Sequence, residues 1–178
     1  MNKLNKGIIA PEFNWSDTNN QTISLSNYRG KKLMLSFYRY ASCPLCNLRV
    51  NDLISRSKVW QKKGFELIAV FQSPADSIKS NVGKQDSPFP ILPDPKQTLY
   101  KKYGVSGNWG KFLKGVINPM KLIAATKKGF YPGKIETDLT MIPADFLIDD
   151  NGIIHTAYYG KDAADHLNIQ SIEHFINS

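Results

Sequence analysis

Lys32-Leu33-Met34-Leu35-Ser36-Phe37-Tyr38 leads through Arg39-Tyr40-Ala41-Ser42 into Cys43-Pro44-Leu45-Cys46. The first seven residues form a short apolar run of the length expected for a buried central strand. From about residue 43 to 63 the spacing predicts a helix, stopped by Gly64. Pro44 suits the first turn of that helix, where a missing N–H leaves no bond unmade. The two cysteines, the only ones in the chain, therefore sit where a strand gives way to a helix.

That position has chemical consequences. Thiol chemistry needs the thiolate, and a helix N-terminus favours it through unpaired N–H groups and the helix dipole. Arg39 at the strand end supplies a candidate cation. Cys46 continues at helical spacing into Val50, Leu53, Ser57 and Trp60, so Cys46 is expected to face inward and Cys43 outward. An exposed thiolate that attacks and a sheltered thiol that resolves make a working dithiol. Two other readings are weaker. An inert core pair does not account for the strand-to-helix position. A zinc site wants about four ligands, and only His155, His166 and His174 could join, none at paired spacing. The histidines are expected at the surface, and neither metal nor cofactor is called for.

Outward from the dithiol, residues 12–16 and 21–25 read as short strands around Asp17-Thr18-Asn19-Asn20, and 65–71 as a second buried strand. Helices are expected over 75–83 and 96–103, with the extended piece Phe89-Pro90-Ile91-Leu92-Pro93-Asp94-Pro95 between them. In 105–137, Trp109, Phe112, Leu113, Val116, Met120 and Ile123 recur at helical spacing, and Asn118-Pro119 suits an N-cap and first helical position. Two short helices are expected there. Residues 142–149 and 152–159 form a hairpin around Asp150-Asn151-Gly152, a type I′ turn signal, and a last helix covers 168–177. The sum is an α/β fold with a mixed central sheet flanked by helices.

The chain has 178 residues and a net charge of +8. Between Asp94 and Glu136 there is no acidic residue but nine lysines, from Lys96 to Lys134, which leaves the rest near −1. Segment 105–137 is thus a basic insert within one domain of residues 1–178. Lysines without arginine, with few interleaved aromatics, make a poor base-reading surface, which argues against nucleic acid and leaves an acidic partner as the binding-module alternative. No apolar run reaches membrane-spanning length, and the N-terminus lacks a secretory signal; a cytoplasmic location is expected.

Four segments in order resemble the AhpC/TSA family of the thioredoxin superfamily, most closely its peroxiredoxin-like members. These are Ala10-Pro11-Glu12-Phe13 with Leu25 to Lys31, the segment Phe37 to Cys46, the piece Phe89 to Pro95 ending in Tyr103-Gly104-Val105, and Ile142-Pro143-Ala144-Asp145-Phe146-Leu147-Ile148-Asp149. The resemblance implies a thioredoxin-like fold with an N-terminal β-hairpin. It implies an antioxidant oxidoreductase acting on a peroxide or a disulfide and reset by a thioredoxin-like or other dithiol reductant. Cys43 takes the nucleophile's place and Cys46 the resolving thiol's. Pro143 takes the place of the thioredoxin cis-proline, leaving the Ile142 backbone to meet substrate. Arg39 and Tyr40 complete the expected substrate-binding set. Ser36 and Tyr40 stand where typical members carry a proline and a threonine, and residues 32–38 hold no carboxylate to deprotonate Cys46. A protein thiol-disulfide reductase without peroxidase activity and a redox sensor stay open as alternatives, as does homodimerisation.

Overall fold

The computed structural model describes residues 2–116 and 119–178, with 114–116 and 119 described through their backbone alone. Two short strands, β1 (Asn14–Ser16) and β2 (Thr22–Ser24), pair antiparallel. β3 (Lys32–Phe37), α1 (Pro44–Gln61) and β4 (Phe65–Phe71) follow, then α2 (Ala75–Ser80), β5 (Ile91–Pro93) and α3 (Thr98–Lys102). The basic segment carries α4 (Trp109–Val116) and α5 (Pro119–Lys127), and the chain closes with β6 (Ala144–Ile148), β7 (Ile154–Tyr159) and α6 (Ile169–Asn177). The main sheet has the order β5-β4-β3-β6-β7, parallel on the β5–β3 side and antiparallel on the β6–β7 side.

β3 is central and covered on both faces, which is why it reads as a nearly unbroken apolar run. Leu33, Leu35 and Phe37 belong to one core cluster, with Tyr100, Tyr103 and Phe146. Met34 and Tyr38 belong to the other, with Cys43, Cys46, Val50, Leu147 and Phe175. The dithiol is built into the second core. The Tyr100 hydroxyl ties the end of β3 to β4, donating to the Tyr38 carbonyl at 2.6 Å and lying 2.9 Å from that of Val70.

Several expectations are corrected. No peptide bond among the described residues is cis, so Ile142–Pro143 is trans. Met141 is bridged to Gly107 and the Pro143 carbonyl accepts from Gly160 N at 2.9 Å, so the chain enters β6 already extended. Pro143 is a strand-start proline, where its missing donor costs little. At the β6–β7 connection only Gly152 has a positive φ, of 75°, whereas a type I′ turn needs two such residues. Residues 149–153 instead fold around Asp149, whose Oδ1 accepts from Asn151 N and Ile153 N. The insert's helices form on both sides of the expected break, with Asn118 itself outside the described residues. Their apolar stripe faces water: Phe112 is buried, but Trp109, Leu113, Met120 and Ile123 are exposed.

Candidate active site

The loop from β3 to α1 is shaped by its own backbone. Cys43 is the N-cap of α1 and its Sγ accepts from Cys46 N at 3.4 Å. Cys43 N donates to the Tyr40 carbonyl at 3.0 Å. Asn47, one turn into the helix and buried, clamps the loop by donating its Nδ2 to Ala41 O and Cys43 O, at 2.7 and 2.9 Å. Ala41 N in turn donates to Ser73 Oγ. This is a helix-start geometry that presents N–H groups to one sulfur.

Both thiols are free and both are buried, Cys43 at 1% exposure and Cys46 at 2%. The expectation of an exposed Cys43 is therefore corrected. Residues 133–139, running from the end of the insert toward β6, cross the loop as a strap. Ser42 Oγ donates to Lys134 O at 2.8 Å, Gln72 Nε2 to Asp138 O at 2.6 Å, and Arg39 Nη2 to Leu139 O at 2.7 Å. Gly133 passes so close that a Cβ there would stand 2.7 Å from the Ser42 Cβ.

Arg39 lies under this strap. It is 3% exposed, and its guanidinium is held between two rings, 5.1 Å from the centre of Tyr40 and 4.9 Å from that of Phe112. Nη1 reaches Cys43 Sγ at 3.7 Å, while Nε is buried with no partner. Phe112 comes from α4, so the insert helps to hold the cation. Burial alone would push the Cys43 thiol up. The Cys46 thiol, Arg39 and the N–H groups of Cys46 and Leu45 outweigh it and bring Cys43 down to about 7. Cys46 moves the other way, raised by burial and by the neighbouring Cys43. Tyr40 is pushed up to about 12 by burial and then by Cys43, so it stays a phenol. The arrangement separates one thiol ready to ionise from one that keeps its proton.

The other expected site residues are placed as follows. Ile142 packs with Phe112 and Ala163, one ring away from Arg39. Pro143 borders a separate hollow with Gly107, Asn108 and Gly160. The sequence reading missed a buried polar cluster on the dithiol side of the sheet. Asp145, fully buried, sits opposite Ser36 in the β3–β6 register. It accepts from Ser36 Oγ at 2.5 Å and Leu167 N at 2.7 Å, and both its oxygens lie 3.1 Å from His166 Nδ1. Burial would raise its carboxyl, but His166, Arg49 and Ser36 hold it below the ordinary value. His166, expected at the surface, has a side chain only 7% exposed. A lone carboxylate inside the apolar strand Ala144-Asp145-Phe146-Leu147-Ile148 was the signal available.

A thioredoxin-type sheet with a split-acidity dithiol at the start of its first long helix defines a thiol-dependent oxidoreductase. The family model described as the AhpC/TSA family matches residues 7–157. The chain belongs to that family. Peroxiredoxin Bcp of Escherichia coli K12 is 25% identical over 131 residues, covering 72% of this chain and 84% of that protein. Among solved structures, a reduced 2-Cys peroxiredoxin of Plasmodium vivax aligns with a TM-score of 0.67 at 17% identity, over 97% of this chain and 80% of that one. The thioredoxin domain of a thiol-disulfide oxidoreductase from Bacteroides vulgatus aligns with a TM-score of 0.64 at 18% identity, over 98% and 100%.

Proposed function

We propose that this oxidoreductase reduces peroxides, with Cys43 as the nucleophile. The observation that carries the reading is the pairing of Arg39 with Cys43 Sγ at 3.7 Å, in a site where the sulfur is almost wholly enclosed. A small oxidant reaches the enclosed sulfur with less displacement of the strap than a protein disulfide requires. The Cys43 thiolate attacks one peroxide oxygen and the O–O bond breaks. The leaving oxygen takes up a proton and departs as water or an alcohol, and Cys43 is left as a sulfenic acid. The Cys46 thiol then attacks Cys43 Sγ, loses its proton and expels the hydroxyl as water, forming the Cys43–Cys46 disulfide. An external dithiol, thioredoxin-like in kind, reduces that disulfide and is itself oxidised. Arg39 and the N–H groups at the start of α1 would stabilise the charge that develops on oxygen as the bond breaks.

Tyr40 and Phe112 hold Arg39 in this scheme, and Ile142 supports Phe112. Pro143 serves the strand start rather than an extended substrate. The same reading takes residues 1–178 as one thioredoxin-like unit acting in the cytoplasm; among the described residues no helix is long and apolar enough to cross a membrane. Peroxide consumption and insulin reduction, assayed side by side with a thioredoxin-coupled readout, test the proposal. Peroxide turnover that Cys43→Ser abolishes is expected. Efficient insulin reduction with no peroxide turnover would replace it with a protein disulfide reductase.

A further inference from the structure

Beside the dithiol, but containing neither cysteine, a cavity of about 500 Å³ opens between α1, α5 and the loop before α6. Its size falls in the range of small-molecule sites, about 300–1,000 Å³. Leu48, Leu167 and Ile169 give it apolar walls. Three cations border it: Arg49 from α1, and Lys121 and Lys128 from the basic insert.

Lys121 Nζ donates to Ala164 O at 2.9 Å, whereas Arg49 is incompletely used. Arg49 Nη2 donates to Leu167 O at 2.7 Å, but Nη1 stands 3.8 Å from Asp52 Oδ2, beyond hydrogen-bond reach, and Nε is buried without a partner. A guanidinium has five N–H groups and a flat fork that fits a carboxylate. Asp52, the one carboxylate in the lining, is shared, with its other oxygen 3.1 Å from Arg56 Nε. Lys128 Nζ donates to a neutral amide oxygen, Asn51 Oδ1. His166, with Nδ1 on Asp145, borders the same space.

We infer that this cavity binds a monocarboxylate carrying an unbranched apolar chain. The carboxylate sits on Arg49 and Lys128, and the chain runs along Leu48, Leu167 and Ile169. A carboxylate suits the site because three cations border it against the single carboxylate of Asp52. The walls supply the rest through burial of the chain. The site gives a role to Lys121 on α5, the insert helix that packs along α1, and to Lys128 just beyond its end.

Titration of the full-length reduced protein with decanoate, followed by calorimetry and by amide shift mapping, tests this. Decanoate is expected to bind one to one, with shifts centred on Leu48 and Leu167. Acetate and decyltrimethylammonium should bind at least about tenfold more weakly, since each lacks one half of the recognition. Lys128→Glu should weaken decanoate by about tenfold, and Ala164→Trp, which fills the cavity, should abolish its binding. Cys43→Ser should bind decanoate like wild type, so the site stands or falls separately from the thiol chemistry. Equal binding of decyltrimethylammonium, binding undiminished in Ala164→Trp, or shifts located elsewhere would overturn the inference. Tighter binding of an acidic peptide than of decanoate would overturn it too, in favour of a protein partner. Should Ala164→Trp fail to fold, the wild-type shift map and the Lys128→Glu titration decide.

Discussion

Arg39 Nη1 and Cys43 Sγ lie 3.7 Å apart with both side chains buried, and they sit four residues apart in one loop. The cation is fixed by rings on either side and by the Leu139 carbonyl, so it cannot swing away when the sulfur ionises. Its charge is delivered where water cannot screen it.

The first prediction follows from that pair. Iodoacetamide labelling of Cys43 should rise with pH through a midpoint near 7, because only the thiolate reacts. In Arg39→Met the midpoint should move up, and peroxide turnover at neutral pH should fall by about tenfold to a hundredfold, the scale of a lost hydrogen bond to a charged group. Arg39→Lys should recover only part, as an ammonium cannot reach Cys43 and Leu139 from one plane. An unchanged midpoint in Arg39→Met would leave the Cys46 thiol and the helix N–H groups as the source of the acidity.

Cys46→Ser separates the two thiols. After peroxide treatment, dimedone should label Cys43 as a sulfenic acid, since no neighbouring thiol remains to displace the hydroxyl. In the wild type the same treatment should give an intramolecular disulfide and no adduct. Adduct formation on Cys46 in a Cys43→Ser protein, at a comparable rate, would reverse the roles.

Gly133→Ala tests the strap. The new methyl group would meet Ser42 Cβ at 2.7 Å, a separation that forces the chain to move. The Ser42–Lys134 bond should break and Cys43 should be alkylated faster, with a stability loss of about 1–3 kcal/mol typical of overpacking. Ser42→Ala removes the same bond without the clash and should show a smaller increase. Mass-mapped labelling rates report both.

Asp145→Asn tests the buried pair. The ionised carboxylate is favoured in the folded state, so its contribution is present above the ordinary carboxylate range and lost as pH falls through the lowered folded value. The variant should lose about 1–3 kcal/mol at pH 7, the scale of leaving the buried partners of a carboxylate unsatisfied. It should also lose less stability than wild type as pH falls from neutral through the ordinary carboxylate range and below it. Denaturant melts at both ends of that range give the comparison.

Much of this architecture can be read from local pattern. The run 32–38 and the helix behind Cys43-Pro44-Leu45-Cys46 each follow from propensities within one element. The features that escaped the sequence depend on contacts between distant segments. Nothing near Cys43 says that residues 133–139 will cover it, so its burial was not foreseen. Trp109 and Ile123 repeat at helical spacing, yet period alone cannot say which way a stripe faces, and α4 and α5 turn most of theirs to solvent. Pro143 carried a family expectation, but the bridge at Met141 and the bond from Gly160 set its peptide. His166 has no flanking pattern at all, and only the arrival of β6 brings Asp145 beneath it.

The strap meets the redox loop across sequence separations of 92 residues at Ser42–Lys134 and 100 at Arg39–Leu139. On a ribosome the chain emerges from its N-terminus, so Cys43 and Cys46 are delivered long before their cover exists. The nascent protein therefore passes through an interval in which its dithiol is reachable by any oxidant or stray disulfide in the cell. Protection of the cysteines is a property that the polypeptide acquires late, and slow translation between codons 46 and 139 would lengthen the exposure.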